Sequence, residues 1–449
     1  MSRISRIVCA SVALGGGLVA QSPATQEPRP TEPSVESRLQ ALEAKLQEGE
    51  KERQSLREAA AKTAADNKAP KWYEKLSIRG YGQIRYASLF GKNNTPNINV
   101  PADRSVNEGE TIYLRRGRVT ISGDVTDRLY MYAQTEFAGT PATTNTAGTS
   151  TTDYTLQMRD FYGDYALNED KSLRLRVGLS KVTFGWVNLQ SSQNRMPLER
   201  PDAINSAAEG ERDMGVYLLW APKEIRTRMR DLVKSGLRGS GDYGVIAVGA
   251  YAGQGPNRPD LNGEAHTVVR AAYPFEMASK QVIEFGAQAY TGQYVVQTAA
   301  IGGTPPATNP NGVKDQRAAA TFVLYPQPFG IEAEWNWGVG PQLGNSNTTI
   351  TSEYLHGGYV LASYMIKAES GTWLPFLRWN YFDGARKFAR NAPRDEVNEI
   401  DAGLKFAPVP EVEFTAQFTH TFWRTDTSAA GFPDATNVDR LGIQMQINF

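Results

Sequence analysis

Pairs of arginines recur at even spacing in segments of the chain that otherwise have the pattern of β-strands. The pairs are Arg79 and Arg85, Arg116 and Arg118, and Arg174 and Arg176. Residues an even number of positions apart share one face of a strand, so each pair would present its guanidinium groups together. A guanidinium group is a fixed charge whose planar donors match the oxygens of phosphate and carboxylate groups. The spacing therefore predicts an anion-binding wall, provided that a fold brings these segments side by side.

Carboxylates at alternate positions of other segments support a different interpretation. The set predicted to share the inward face comprises Asp160, Asp164, Glu332, Glu334, Glu399, Asp401, Glu411 and Glu413. Arginines paired with these carboxylates would only stiffen the fold. Alternatively, opposite charges on opposite walls would create a transverse field that orients zwitterions or sugars with little anion preference. The spacing leaves both possibilities open, and we favour anion preference.

The composition provides little for a metal centre or a nucleophilic enzyme. The 449 residues include 3 histidines, which are far apart in the sequence, and a single cysteine, Cys9. We therefore expect no zinc site, no thiol nucleophile and no cofactor, and we predict that the chain is not an enzyme.

The 48 basic and 48 acidic residues give a formal net charge of zero. No overall positive field indicates a nucleic acid partner.

The β-strand is the element that must position these side chains, because apolar and polar residues alternate from Leu76 to the end of the chain. We predict sixteen strands, near 76–89, 111–123, 128–139, 154–167, 172–183, 213–221, 242–252, 265–275, 281–292, 315–325, 330–338, 353–366, 374–383, 397–407, 411–422 and 438–449. Long gaps alternate with short turns between them. This pattern predicts an all-β fold, a closed sixteen-stranded antiparallel transmembrane β-barrel over residues 76–449. The long basic connection 222–241 departs from the pattern and is not explained by it.

The last strand of the predicted barrel carries a further signal. Its apolar face consists of Leu441, Ile443, Met445, Ile447 and Phe449, with small or polar residues between them. An alternating last strand that ends in phenylalanine is typical of barrels that the outer-membrane insertion machinery recognises. We therefore predict that the chain lies in the outer membrane, in contact with its lipid and lipopolysaccharide.

The N-terminal residues have the pattern of a targeting segment. Arg3 and Arg6 precede a short apolar stretch that ends near Ala20, which predicts a signal peptide over residues 1–20. Residues 21–33 are rich in proline and polar, and we expect a disordered tether there. Secretion of the chain follows from this prediction.

A helical period precedes the predicted barrel. Its apolar positions are Val35, Leu39, Leu42 and Leu46, which step by four, three and four. This heptad spacing predicts a short coiled-coil helix over residues 34–60, followed by a linker over residues 61–75. Two good heptads are marginal alone, so we expect several copies of the chain to associate, with this segment in the periplasm. A lone solvated helix is the alternative.

The chain from residue 75 to residue 449 resembles the phosphate-selective porin O and P family. The matching segments include LSIRGYGQIRYA (76–87), LRRGRVTISGDVTDRLYMYAQTEFAG (114–139), MRDFYGDYAL (158–167), LRLRVGLSKVTFGWVNLQSS (173–192), LERPDAI (198–204) and LPFLRWNYFDG (374–384). The resemblance implies a homotrimer of sixteen-stranded barrels whose third extracellular loop folds into each pore. It also implies that small anions such as phosphate or polyphosphate are the solutes.

That loop corresponds to residues 184–212, the long segment after the fifth predicted strand. Its charged residues that we expect to set the radius and charge of the pore are Arg195, Glu199, Arg200 and Arg212. A loop that caps the trimer or contacts lipopolysaccharide is the alternative. The sequence thus predicts a passive diffusion channel that favours anions. A general or sugar porin and a barrel with a tethering or adhesin role are the competing functions.

Overall fold

The computed structural model describes residues 34–68, 71–90, 111–139, 143–144, 150–151, 154–426 and 436–449. The chain divides into two compact units, Met1–Pro70 and Lys71–Phe449. The predicted signal peptide and the predicted tether lie outside the described residues. In the part of the chain that the structure describes, no helix is long and apolar enough to cross a membrane.

The first unit contains a single described helix, α1 (Val35–Lys68). The hydroxyl of Ser34 accepts a hydrogen bond from the backbone N–H of Ser37 and so caps the start of this helix. The heptad residues are exposed, with Leu39 at 56% and Leu46 at 63%. The helix continues past the predicted end at residue 60, and a 3-10 turn (Trp72–Lys75) follows, so the predicted linker is partly helical. Association of α1 with other copies remains a prediction.

The second unit is a closed antiparallel barrel, and the predicted strand number is confirmed. Over the described residues its strands are β1 (Leu76–Phe90), β2 (Thr111–Asp124), β3 (Leu129–Gly139), β4 (Tyr154–Ala166), β5 (Leu173–Lys181), β6 (Arg212–Trp220), β7 (Ile246–Tyr251), β8 (His266–Glu276), β9 (Val282–Tyr294), β10 (Val313–Leu324), β11 (Phe329–Leu343), β12 (Ile350–Tyr364, continued by Ile366–Ala368), β13 (Gly371–Ala385), β14 (Arg394–Val409), β15 (Val412–Asp426) and β16 (Thr436–Asn448). Each strand pairs with its neighbour in sequence, and β1 pairs with β16. A two-residue ladder joins Thr143–Thr144 to Ser150–Thr151 in the connection between β3 and β4.

The alternation of residue types explains which face of each strand points outward. In β8, Val269 and Phe275 are exposed, whereas Val268 and Arg270, on the other face, are buried. The same division holds around the barrel, where exposed apolar side chains such as Leu377 and Ile400 form the outer face. Lipid strongly disfavours charged groups, so an apolar outer face and a polar lumen suit a membrane barrel.

The two ends of the barrel differ in their connections. Short turns join β2 to β3, β4 to β5 and β14 to β15 at the end where β1 begins and β16 finishes, which we call the short-turn end. The exception at this end is the connection that the strand pattern did not explain. It contains α4 (Lys223–Lys234), whose apolar residues Ile225, Met229 and Leu232 are buried at helical spacing. The basic residues of this helix lie mostly on its other face.

The connection between β5 and β6, residues 182–211, folds into the barrel, and we call it the inserted loop. It contains the short helices α2 (Trp186–Leu189) and α3 (Asp202–Asn205) and a 3-10 turn (Glu209–Glu211). Its apolar side chains pack against inward residues of β9 to β13 in one cluster, which includes Trp186, Val187, Met196 and Ile204 of the loop and Tyr359, Leu361, Leu374 and Phe376 of the wall. One side of the lumen is therefore filled by apolar packing.

Candidate functional site

Hydrogen bonds fasten the inserted loop to the β10–β11 wall. The carboxylate of Glu334 accepts hydrogen bonds from the backbone N–H groups of Trp186 and Val187 at 2.7 and 3.2 Å, at the start of α2. Asn336 donates to the carbonyl of Ala203 at 2.8 Å, and Arg317 donates to the hydroxyl of Ser206 at 2.6 Å. These contacts hold α2 and α3 in place. The remainder of the loop, residues 190–200, contacts the opposite wall, which is formed by β15, β16, β1 and β2.

The carboxylate of Glu199 is the point at which the loop meets that wall. In the described part of the chain it forms ion pairs with three arginines. These are Arg85 at 2.7 Å, Arg115 at 3.1 Å and Arg116 at 3.4 Å. Burial raises the pKa of Glu199, but the charges of Arg115, Arg116 and Arg85 outweigh it and hold the pKa well below its usual range. The Glu199 carboxylate therefore remains ionised and is shared among several cations.

A β-bulge in β2 explains why adjacent arginines reach the same carboxylate. Gln83 of β1 pairs with Arg116, whereas the next residue, Ile84, pairs with Leu114, so Arg115 is the extra residue of the bulge. A bulge interrupts the alternation of side chains, which allows Arg115 and Arg116 both to point inward. Strict alternation had predicted Arg116 and missed Arg115. The adjacent arginines of the LRRGR segment were the signal that could have indicated a bulge.

A second bulge turns a further arginine inward on β4. Gln134 of β3 pairs with Asp160 and Thr135 pairs with Met158, so Arg159 is the extra residue. Its guanidinium lies 3.2 Å from the carboxylate of Glu136 and donates to the carbonyl of Gly210 at 3.1 Å. Arg159 is not among the site residues predicted from the sequence.

Arg195 differs from its neighbours because it has no hydrogen-bond or ion-pair partner among the described residues. Its side chain is only 3% exposed, and its Nε and Nη1 atoms form no hydrogen bond within the described residues. Burial and the charges of Arg200 and Arg116 lower the pKa of Arg195 well below its ordinary value. Arginine nevertheless stays protonated in proteins. The side chain therefore holds a buried positive charge without a direct partner among the described residues, and the charges of Glu199 and Glu211 offset it only in part.

Arg200, which was also predicted within the loop, has partners. Arg200 donates to the carbonyls of Val187 at 3.1 Å and Gln190 at 3.0 Å, and it forms an ion pair with Glu211. Burial lowers the pKa of Arg200 to about 10. Arg200 thus lies at the predicted place but is used to hold the loop together.

Two more of the predicted arginines are paired with carboxylates of neighbouring strands. Arg118 donates from Nε to Glu136 at 2.7 Å and from Nη1 to the hydroxyl of Ser192 at 3.1 Å. Arg212, the first residue of β6, bonds Asp160 at 2.9 Å and Glu211 at 2.8 Å. Both side chains border the site, and both are committed to acidic partners.

The structure does not bring Arg174, Arg176 and Arg79 to this site, because all three lie near the short-turn end. Arg176 holds Asp164 through two hydrogen bonds of 2.7 and 2.8 Å, and Arg174 bonds Asp242 at 2.7 Å. Arg79 is exposed, with its guanidinium 5.8 Å from the centre of the Tyr132 ring. The six predicted arginines therefore do not form one continuous wall.

Most of the carboxylates predicted to face inward are buried, as expected, with one exception. The buried members are Asp160, Asp164, Glu332, Glu334, Glu399, Asp401 and Glu413. Glu411 was predicted wrongly, because it lies in the turn between β14 and β15 and is exposed. Strand β15 begins at Val412, one residue later than predicted, and alternation has no meaning in a turn. Within the described residues, no three His, Cys, Asp or Glu side chains converge on a possible metal site.

Comparison with solved structures returns other bacterial outer-membrane proteins. OmpT of Vibrio cholerae, expressed in the outer membrane, is 10% identical, with 83% of this chain and 97% of that chain covered and a TM-score of 0.47. The outer membrane channel DcaP of Acinetobacter baumannii is 12% identical over the same shares, with a TM-score of 0.47. Salmonella typhi OmpF, in complex with daunomycin, is 11% identical over the same shares, with a TM-score of 0.48.

The sequence itself identifies the family. No curated protein matches the chain. The family profile described as phosphate-selective porin O and P matches residues 96–449, which is most of the barrel. That family consists of outer-membrane channels, in agreement with the closed barrel and its apolar outer face. The chain belongs to the phosphate-selective porin O and P family.

Proposed function

We propose that this porin is a passive diffusion channel that favours anions, with phosphate and polyphosphate as its preferred class of solute. The observation that carries the proposal is that Arg195 has no direct partner among the described residues, whereas several arginines already share the carboxylate of Glu199. Arg85 and Arg115 contact the carboxylate of Glu199, Arg116 is shared between Glu199 and Glu136, and Arg195 adds another positive charge. Among the described side chains where the inserted loop narrows the lumen, guanidinium groups therefore outnumber carboxylates.

This arrangement suits conduction as well as binding. Guanidinium groups held by the barrel need little reorganisation when an oxyanion arrives, and they replace part of its hydration shell. A channel must also release its solute. Glu199 competes with the anion for Arg85, Arg115 and Arg116, so it weakens the binding of any anion that they contact. An anion beside Arg195 would neutralise a buried charge that has no direct partner in the described part of the chain, which favours entry.

The surroundings of the channel belong to the same proposal. The short-turn end would face the periplasm, together with the N-terminal segment, and the chain would be exported by the signal peptide over residues 1–20. The exposed heptad residues of α1 support association into a homotrimer. The alternating β16, together with Phe449 that follows it, would be recognised by the barrel-insertion machinery. Channel activity without catalysis is part of this proposal.

Reconstitution in planar bilayers tests the proposal. The purified protein is placed between unequal KCl concentrations, and the zero-current potential is measured before and after phosphate is added to one side. We expect the sign of an anion-selective pore, and a chloride current that phosphate reduces. A cation-selective sign would overturn the proposal. A pore without ion preference that passes neutral sugars would support the general or sugar porin instead.

A further inference from the structure

A second segment enters the barrel from the end opposite to the long loops. It follows α4 in the connection between β6 and β7, and we call residues 235–245 the crossing segment. Turns at this end are short elsewhere among the described strands, so a connection of this length requires an explanation. Within it, three consecutive residues, Arg238, Gly239 and Ser240, are buried. In α4, by contrast, each buried residue is separated from the next by exposed or half-buried residues.

The start of the crossing segment lies in the apolar half of the lumen. Leu232, in the last part of α4, belongs to the same apolar cluster as Trp186 and Val187 of the inserted loop, and Leu237 packs against that cluster. Leu374 and Phe376 of β13 are members of the cluster as well. The end of α4 and the inserted loop therefore share one core, although they enter the lumen from different ends.

Arg238 then reaches the far wall of the barrel. Its guanidinium donates to the carboxylate of Glu413 on β15 at 2.6 Å, and the Arg238 residue is 9% exposed. In the closed strand order, β15 lies about half of the circumference away from β6 and β7, from which the segment comes. The segment thus extends across the lumen. Lys405 of β14 contacts the same carboxylate, which anchors Arg238 in a partly neutralised environment.

The return of the segment is attached to a third part of the wall. Asp242 accepts hydrogen bonds from Arg174 of β5 at 2.7 Å and from Arg226 of α4 at 3.0 Å. The Arg176 guanidinium lies 5.3 Å from the centre of the Tyr243 ring. Ion pairs on both sides therefore hold the crossing segment as a fixed element across the short-turn end.

Gln190 joins the crossing segment to the inserted loop. Its side-chain amide donates to the carbonyl of Arg238 at 2.6 Å, and Gln190 itself is 1% exposed. The carbonyl of Gln190 accepts hydrogen bonds from Lys181 at 2.9 Å and from Arg200 at 3.0 Å. Gln190 is therefore a junction between the crossing segment and the part of the loop that carries Arg195, Glu199 and Arg200.

We propose that the crossing segment is the second wall of the constriction, and that Arg238 is a positioning residue which holds the inserted loop through Gln190. The inserted loop then narrows the pore from one end and the crossing segment from the other. Solutes are directed along the charged side of the lumen, past β1 to β5. The proposal presupposes that the barrel conducts, but it does not depend on which ions the barrel prefers.

Paired substitutions distinguish the effect of the segment's position on the conductance from the effect of its charge. Arg238→Gln and Glu413→Gln both break the contact with β15, but the former removes a positive charge and the latter a negative charge. We expect both variants to show a similar rise in single-channel conductance, of about twofold or more, together with frequent brief closures as the segment moves. Arg228→Gln serves as the control, because Arg228 pairs with Glu276 outside the lumen.

Shortening the connection provides a second measurement. Replacement of residues 222–244 by a turn like that between β2 and β3 should raise the conductance at least as much as the point substitutions do. Folding of every variant is checked by its heat-dependent mobility in detergent gels. Folded variants whose conductance equals that of the natural chain would overturn the proposal, as would opposite shifts in Arg238→Gln and Glu413→Gln without a shared rise. A cation-selective natural chain would refute the proposed function and leave this inference standing.

Discussion

At the residue scale, the arginines of the constriction differ in the partners that the fold gives them. Arg118, Arg200 and Arg212 are matched to carboxylates or carbonyls and act as internal braces. Arg195 has no such match within the described residues. The number of arginines in a pore is therefore a poor guide to its selectivity. The partners that the fold provides for each arginine determine which charges a solute meets.

Substitution of Arg195 tests this distinction. A unit charge about 10 Å away, at an effective dielectric constant of about 20, contributes roughly 1.7 kcal/mol, which salt screening reduces. We expect Arg195→Gln to lower the anion-to-cation permeability ratio by roughly three- to tenfold, measured from the zero-current potential. The unfolding temperature should not fall, because an unpaired buried charge is removed. Arg230→Gln, on the exposed face of α4, should leave the ratio unchanged.

Glu199 provides a prediction about solute release. Glu199→Gln frees Arg85, Arg115 and Arg116 from their shared carboxylate, so an oxyanion should bind more tightly and leave more slowly. We expect phosphate to block the chloride current at a concentration several-fold lower than in the natural chain. An unchanged blocking concentration would show that phosphate does not contact these arginines.

The ionisation of Glu199 also predicts how selectivity depends on pH. Its pKa is held well below the usual range, so the carboxyl stays charged at pH values where an ordinary glutamate, with a pKa of about 4.3, becomes protonated. Anion selectivity should therefore stay nearly constant between about pH 5 and pH 3.5 as far as this group is concerned, although an ordinary glutamate titrates in that range. A sharp rise in phosphate block on acidification through about pH 4.3 would mean that Glu199 titrates normally. Zero-current potentials recorded with Glu199→Gln in parallel provide the reference.

At the element scale, irregularities in the strands create the site. The bulges at Arg115 and Arg159 turn inward side chains that a regular strand would not place there. The inserted loop and the crossing segment are likewise departures from a plain up-and-down barrel. Each departure is held by buried polar contacts, such as those of Glu334 with α2 and Arg238 with β15. The regular strands form the barrel, and these irregular elements determine which side chains lie in its lumen.

Deletion of a bulge residue tests this account. The partner strand already skips Arg115, so its removal should leave the pairing of β1 with β2 intact and the barrel folded. Deletion of Gly117, a regularly paired residue, should move the neighbouring side chains to the wrong face and impair assembly. Heat-dependent mobility and the yield in the outer membrane measure the difference. Equal effects of the two deletions would contradict the assignment of the bulge.

At the scale of the whole molecule, the lumen is asymmetric. Apolar packing of the inserted loop against β9 to β13 occupies one side, and the paired charges of β1 to β5 line the other, together with Arg195 of the inserted loop. A solute would therefore pass along the charged side chains, next to the side of the lumen that apolar packing fills. The apolar packing keeps the inserted loop rigid. The charged side chains on the other side of the lumen are therefore held in fixed positions relative to the loop.

Assembly of several copies is a separate prediction at this scale. If the exposed heptad residues of α1 pair between copies, the double variant Leu39→Glu, Leu46→Glu should lower the temperature at which the oligomer dissociates in detergent. The control is Glu43→Gln with Lys45→Gln, which alters exposed polar residues of the same helix. An oligomer of unchanged stability would favour the lone solvated helix.

The sequence alone determined the β-barrel. Alternating residues from Leu76 onward, the spacing of the turns and the apolar face of the last strand predicted the sixteen strands, because side-chain alternation is a local property of an extended chain. The same rule placed Arg85, Arg116, Asp160 and Glu334 on the inner face correctly. It also predicted a long inserted loop with Arg195 and Glu199 in it, with the help of the family resemblance.

Only the tertiary structure decided which of these charges meet. Arg85 and Glu199 are distant in sequence, and their contact depends on the path of a loop that is anchored to the opposite wall. A bulge of one residue brought Arg115 inward against the alternation. The ion pair of Arg238 with Glu413 places the long basic connection, which the strand pattern did not explain, inside the barrel. Strand patterns are local, whereas charge partners depend on long-range register and loop packing, and a single inserted residue alters both.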